Sequence, residues 1–224
     1  MDDASDAPVV HLSRLDTPGR ATGPEPDWAL LSPDERARAG RMPPSSRRVW
    51  IRSRALLRTT VAHHLGCSAR EVRLARDPLG RPFLPDAPHL HISLAHTTDC
   101  CAVAVSTAGP VGVDVEWVRP VSLPDGLARR ILGSAELEEW DRVAAPDRTR
   151  WLLRRWTWKE ALLKAEGIGL AGGPRSFGVR RTAAGLRVDG ARHRPECWWL
   201  DEVPAGPRHV AAVARDRRGH TPHR

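Results

Sequence analysis

Apolar residues recur with a helical period over 46–64, where Val49, Ile51, Ala55, Leu56, Leu57, Val61 and Ala62 build one broad face that ends at Gly66. A second helical stretch covers 151–166 and stops at Gly167. Strand-like segments lie between them at 72–75, 89–93 and 100–105, with a Pro-Leu-Gly turn at 78–80 and a Gly-Pro stop at 109–110. Val9, Val10, Leu12 and Leu15 predict one more strand in a start that carries seven prolines within 44 residues. Ser32-Pro33-Asp34-Glu35 offers an N-cap, a proline at the first helical position and acids in the first turn. It predicts a short basic helix bearing Arg36, Arg38 and Arg41.

The chain also echoes itself. Trp50 with Arg54-Ala-Leu-Leu-Arg58 is answered, 106 residues on, by Trp156 with Glu160-Ala-Leu-Leu-Lys164. Cys-Ala-Val-Ala-Val at 101–105 is answered by Val-Ala-Ala-Val-Ala at 210–214. The echo predicts an α+β fold of two similar α/β halves, 1–109 and 110–224, related by pseudo-twofold symmetry with a cleft between them. The tail 215–224 is expected to be disordered.

Composition narrows the class of protein. With 224 residues, 41% hydrophobic and 28% charged, the chain can bury a core, and its apolar runs are far too short to span a bilayer. The start Met-Asp-Asp-Ala-Ser-Asp lacks the pattern of a secretory signal, so a cytoplasmic location without membrane attachment is expected. Four cysteines without CxxC spacing read as reduced thiols. A net charge of +8 calls for an anionic partner: nucleic acid, a phosphorylated small molecule or an acidic protein. Of 35 cationic residues only Lys159 and Lys164 are lysines, which marks that stretch as a place where a compact ammonium is needed.

The alternation at 112–117 places Gly112, Asp114 and Glu116 on one strand face. Carboxylates two residues apart, about 6–7 Å between Cα atoms, can converge on a hard divalent cation, with Gly112 leaving space beside them. The same alternation suits the solvated face of an edge strand. Trp156, Glu160 and Lys164 line up at i, i+4 and i+8, where Glu160 could add a third oxygen or take a proton and Lys164 could meet a phosphate, with Lys159 flanking them. His96 closes a strand in a polar turn, where an imidazole can donate to a phosphate oxygen. Gly80-Arg81-Pro82 is turn chemistry first and an anion contact second. Nucleic-acid binding would explain the charge but not the acids, whereas a metal-dependent phosphatase or nuclease would use the acids with an activated water.

Gly-Val-Asp-Val-Glu at 112–116 and Trp-Thr-Trp-Lys-Glu-Ala-Leu-Leu-Lys at 156–164 together resemble the paired signatures of the 4'-phosphopantetheinyl transferase superfamily. The order of motifs, from Gly80-Arg81-Pro82 through His96, resembles the surfactin-synthetase-activating type. The resemblance implies a monomeric, Mg²⁺-dependent enzyme of the holo-[acyl-carrier-protein] synthase kind, with Mn²⁺ as an alternative ion. It would move the phosphopantetheine arm of coenzyme A to a serine of an apo acyl or peptidyl carrier protein, releasing adenosine 3',5'-bisphosphate, in polyketide or nonribosomal peptide synthesis.

It implies that Asp114, Glu116 and Glu160 hold the metal, that Glu160 or else Glu116 is the base, and that Lys164 contacts phosphate. His96, Gly80, Arg81, Pro82 and Lys159 would bind coenzyme A, with Arg38 and Arg48 clamping its 3'-phosphate. The first half would then hold the nucleotide, and the second the metal and the transfer signature. Glu35 and Ala95 depart from the family pattern, which usually has lysine and serine there. Neither partner nor site leaves a role for nucleic acid or membrane, and Arg129, Arg130 and Leu132 are expected to dock an acidic carrier helix.

Overall fold

The computed structural model describes residues 7–15, 26–190 and 195–218. The chain runs β1 (Val9–Arg14), α1 (Pro26–Leu30), α2 (Pro33–Gly40), α3 (Pro44–Leu65), β2 (Ala75–Arg76), β3 (Pro82–Phe83), β4 (His91–His96), β5 (Cys100–Ser106) and β6 (Val111–Trp117). It continues through α4 (Pro124–Ile131), α5 (Ser134–Arg142), α6 (Ala145–Glu166), β7 (Phe177–Thr182), β8 (Gly185–Gly190), β9 (Trp198–Glu202) and β10 (His209–Asp216). The strand expected at 72–75 shrinks to β2, because Val72 is drawn into the core and its carbonyl accepts from Arg58 rather than from a neighbouring strand.

Two antiparallel three-stranded sheets form, β1-β5-β4 and β6-β10-β9. Each begins with one strand, continues through a long helix and a two-stranded ribbon, and closes with two strands, so the expected two-part α+β architecture is realised as a repeated topology. Both long helices have 22 residues, start with proline in their first turn and end at a left-handed glycine, Gly66 and Gly167. Those glycines lie 101 residues apart, against 106 for Trp50 and Trp156. The repeated Trp and Ala-Leu-Leu positions therefore fall out of register with the helix ends, and topology rather than that echo defines the repeat.

The sheets meet on small residues. Ala95, Cys100, Ala102 and Ala104 of the first pack on Val111, Val113, Val115, Ala211 and Val213 of the second, all buried. Short side chains let the strands approach closely, and Ser93 Oγ of β4 accepts the Val113 N–H of β6 at 3.0 Å across the join. The opposite faces are covered by α3 over Cys101, Val103 and Val105, and by α6 over Ala212 and Ala214. At the join's outer end His209, fully buried, sits 2.9 Å from Asp99 Oδ1, tying the β4–β5 turn to β10.

Ser32 caps α2 through a reciprocal capping box with Glu35, as the sequence pattern predicts. The expected disordered tail is corrected in part: β10 runs to Asp216, Arg215 is buried, and Arg217 and Arg218 form a turn in which Arg218 pairs with Asp216. Pairing with β6 and β9 and burial of Arg215 outweigh the basic composition; 219–224 lie outside the described residues, as do 1–6 at the start. No helix among the described residues is long and apolar enough to cross a membrane.

Candidate active site

Asp114 lies on β6, buried at 6% exposure on the face turned to α6. The close approach of the two elements depends on Gly112. A Cβ there would lie 1.9 Å from the Ala161 carbonyl oxygen and 2.5 Å from the Ala165 nitrogen. The expectation that this glycine leaves room for a cation is thus corrected: its missing side chain makes room for the α6 backbone.

Contact between β6 and α6 brings the two signatures together. Lys164 Nζ donates to Asp114 Oδ1 at 2.7 Å and to the Val113 carbonyl at 3.1 Å, so the lysine bonds across to β6 rather than to Glu160 one turn before it. Trp156 Nε1 donates to Glu116 Oε1 at 3.1 Å and fixes that carboxylate at the strand's end. Two acceptors remain unsatisfied inside, Asp114 Oδ2 and Glu160 Oε1, both buried without a hydrogen-bond partner.

Such oxygens are costly to bury, and they mark a place built for a cation or a proton. Burial raises the pKa of Glu160, and Asp114 and Glu116 raise it further against the lowering effect of Lys164. Glu116 is raised by burial and then by Asp114, with the Trp156 hydrogen bond opposing. The three acids repel one another, and Lys164 is their internal counter-charge.

His96, the last residue of β4, borders the same place. Burial of its inner side lowers its pKa, the bond from the Thr97 backbone opposes this, and the Lys164 and Arg54 cations lower it further. A cavity of about 710 Å³ opens between the halves, lined by His96, Glu116 and Arg119 and by Ser45 and Ser46 in the first turn of α3. The positive end of that 22-residue helix's dipole favours an anion there.

The remaining expected residues scatter. Arg48 lines a neighbouring cavity that shares Ser45, Val49, Thr98 and Trp117 with the first. Arg38 lines a separate one and stacks on Trp50 at 5.7 Å, so the two arginines do not form one clamp. Gly80 makes the turn between β2 and β3 at φ 84°, with Pro82 starting β3. Arg81 pairs with Asp77 at 3.1 Å and, with Pro82, lines a largely apolar cavity apart from His96.

Lys159 is corrected outright. It is wholly buried, with Nζ donating to Glu136 Oε2 at 2.6 Å and to the carbonyls of Pro174 and Phe177 at 2.7 and 2.6 Å. All three ammonium donors are used, so it pins α5 and the start of β7 to α6 and offers nothing to a cofactor. Leu132 is also fully buried and belongs to the core under α4, whereas Arg129 and Arg130 are exposed.

Sequence reasoning missed three groups: the Trp156 indole on Glu116, the Ser93 hydroxyl and the buried Arg54. The tryptophan left a signal, an aromatic residue on the acid-bearing helix line; a serine in an alternating strand and an arginine in an arginine-rich helix left none.

Residues 110–214 match the family model of the 4'-phosphopantetheinyl transferase superfamily. The 4'-phosphopantetheinyl transferase HetI of Nostoc sp. is 32% identical over 166 residues, 72% of this chain and 70% of that protein. AcpT of Escherichia coli O157:H7 is 33% identical over 62% of this chain and 67% of its own, and Sfp of Bacillus subtilis 27% identical over 56% and 54%. The matched region contains both signatures that β6 and α6 bring face to face, and with a relative this similar along most of its length, the chain belongs to the 4'-phosphopantetheinyl transferase superfamily.

Proposed function

We propose that this protein transfers the 4'-phosphopantetheine arm of coenzyme A to a serine hydroxyl of an apo carrier protein. The observation that carries the reading is the Asp114, Glu116, Glu160 and Lys164 cluster, whose Glu116 lines the cleft, with two buried carboxylate oxygens left open. In the reaction the serine oxygen forms a bond to the phosphorus next to pantetheine. The bond from that phosphorus to the bridging oxygen breaks, and adenosine 3',5'-bisphosphate leaves with the electron pair.

Among the described residues no three acidic, histidine or cysteine side chains already converge as a closed metal-ligand set. The chemistry of the donors still fits a hard divalent cation, because Asp114 Oδ2 and Glu160 Oε1 lack partners and Glu116 stands beside them. Asp114, Glu116 and Glu160 would hold Mg²⁺ or Mn²⁺. When bound, the ion would neutralise charge on the pyrophosphate.

The chain's own groups do the rest. Lys164 and His96 border the phosphates, and the first turn of α3 faces their charge. Glu160, raised by burial and by its acidic neighbours, takes the serine proton, with Glu116 as the second candidate. Arg119, Arg129 and Arg130, exposed just after β6, suit an acidic carrier helix. The enzyme acts as a monomer in the cytoplasm, in polyketide or nonribosomal peptide synthesis.

The test is the intact mass of an apo acyl or peptidyl carrier protein incubated with the enzyme, coenzyme A and Mg²⁺, with a chelator control. A gain of one phosphopantetheine, about 340 Da on serine, supports the reading, and its chelator sensitivity supports the ion. Hydrolysis of coenzyme A without carrier modification would replace it with a phosphatase.

A further inference from the structure

Asp99 lies in the turn between β4 and β5, and three side chains converge on its carboxylate. His209 Nε2 is 2.9 Å from Oδ1, Thr97 Oγ1 donates to the same oxygen at 2.9 Å, and Arg208 Nη2 stands 3.5 Å from Oδ2. Burial would raise the Asp99 pKa, but these partners outweigh it, so the group is a carboxylate at neutral pH. A carboxylate only accepts, which assigns the proton of the His209 bond to Nε2.

The Thr97 hydroxyl is held from both sides. It accepts the Asp99 and Cys100 N–H groups at 3.3 and 3.0 Å while giving its own proton to Asp99, and the Thr97 N–H donates to the Cys100 carbonyl at 2.8 Å. The turn is thereby stiffened into one body. Thr97 follows His96 directly, and both line the cleft with Thr98.

His209 belongs to the other half. It is the first residue of β10, wholly buried, and pairs in register with Trp117, the neighbour of Glu116 on β6. The wall of the cleft that bears Glu116 is therefore joined through His209, Asp99 and Thr97 to the wall that bears His96. Arg208 reaches Asp99 from the same strand end, but its side chain is 63% exposed and sits at longer range. His209 Nδ1 is buried with no partner among the described residues. An open buried nitrogen is costly, so packing alone would favour an apolar side chain, and the fold keeps an imidazole for its Nε2 bond.

We propose that His209 is a positioning residue, which acts through Asp99 and Thr97 to set where His96 stands across the cleft from Glu116. The inference rests on the transferase reading above, in which His96 borders the phosphates of coenzyme A. Without the Nε2 bond, the turn is tied only to its own half and His96 drifts from that place.

Carrier-modification kinetics with varied coenzyme A test it in wild type, His209→Leu and His209→Gln, together with the His96 Cε1–H resonance of the free protein, assigned by its loss in His96→Asn. Leucine keeps bulk without a donor, and glutamine returns an N–H donor. His209→Leu, assayed well below its melting temperature, should lose at least tenfold in kcat/KM for coenzyme A, since misplacement by about 1 Å can cost on the order of 100-fold. It should also shift the His96 resonance. His209→Gln should recover to within about threefold of wild type and restore the resonance, in keeping with a role carried by the hydrogen bond. Thr97→Val cuts the same chain beside His96, should repeat the kinetic loss, and serves should His209→Leu not fold; wild-type kinetics in it overturn the proposal.

A merely structural histidine would lower the melting temperature and leave kcat, KM and the resonance unchanged. A folded His209→Leu protein with wild-type kcat/KM or an unmoved His96 resonance therefore overturns the proposal, and an equal loss in His209→Gln does so by assigning the effect to packing. If the wild type binds no coenzyme A and modifies no carrier, the transferase reading fails and the resonance alone decides the positioning. A shift in His209→Leu that His209→Gln reverses then supports it, and no shift overturns it.

Discussion

Gly112→Ala is the smallest change that should disable this protein, and its effect can be worked from the packing of β6 on α6. The added methyl would stand 1.9 Å from the Ala161 carbonyl oxygen, 2.5 Å from the Ala165 nitrogen and 2.9 Å from Lys164 Cβ. Two of these are backbone atoms in the last two turns of a 22-residue helix, so no rotamer change relieves them. Ordinary contact needs about 3.2 Å or more, so helix and strand must part by about 1.3 Å.

Overpacking costs about 1–3 kcal/mol, and a clash with backbone belongs at the upper end. At roughly 2–4 °C per kcal/mol for a domain of this size, the melting temperature should fall by about 6–12 °C. The same displacement moves Lys164 away from Asp114 Oδ1, where it now lies at 2.7 Å, and carries Glu160 with it. A misplacement of about 1 Å can cost on the order of 100-fold in rate. Thermal melting with carrier-modification rates on the folded variant checks both parts. A Gly112→Ala protein that melts with the wild type and keeps its rate would refute the account of how β6 and α6 meet.

Asp114→Ala should abolish carrier modification, since it removes a proposed metal ligand and strands the Lys164 ammonium; full activity in the mass assay would sink the assignment. Lys164→Arg should bind coenzyme A but turn over more slowly, because a planar fork replaces a compact ammonium; calorimetry and single-turnover rates separate the two effects. Lys159→Met should cost about 3–5 kcal/mol in urea unfolding by leaving Glu136 buried and unpaired, and a loss below about 1 kcal/mol would contradict the pinning role.

Asp99 supplies the acid dependence. Burial raises its pKa, but the His209 and Thr97 hydrogen bonds outweigh that and hold it below the ordinary 3.8. Its contribution is therefore complete above pH 3.8 and lost as pH falls through the lower folded value. The stability gap between wild type and Asp99→Asn, followed by denaturant unfolding, should be constant at neutral pH and close below about pH 4; a constant gap at all pH values would exclude the Asp99 charge as its source.

Local patterns in the sequence determined the two long helices, the capped α2, strands β1, β5 and β6 and the two family signatures. These depend on periodicity, capping and turn chemistry that neighbouring residues supply by themselves. The approach of β6 to α6 was legible only in part: Gly112, Asp114 and Glu116 could be placed on one face, but what lay opposite could not.

Tertiary structure decided which charges work and which merely hold. Lys159 and Lys164 differ by five positions and look alike in the chain, yet one is sealed among Glu136 and two carbonyls while the other crosses to Asp114 at the cleft. Arg54 and Arg58 divide the same way, one open and one satisfied. The reason is physical: a charge's role depends on the acceptors within about 3 Å of it, and those come from segments tens of residues away that only folding brings near.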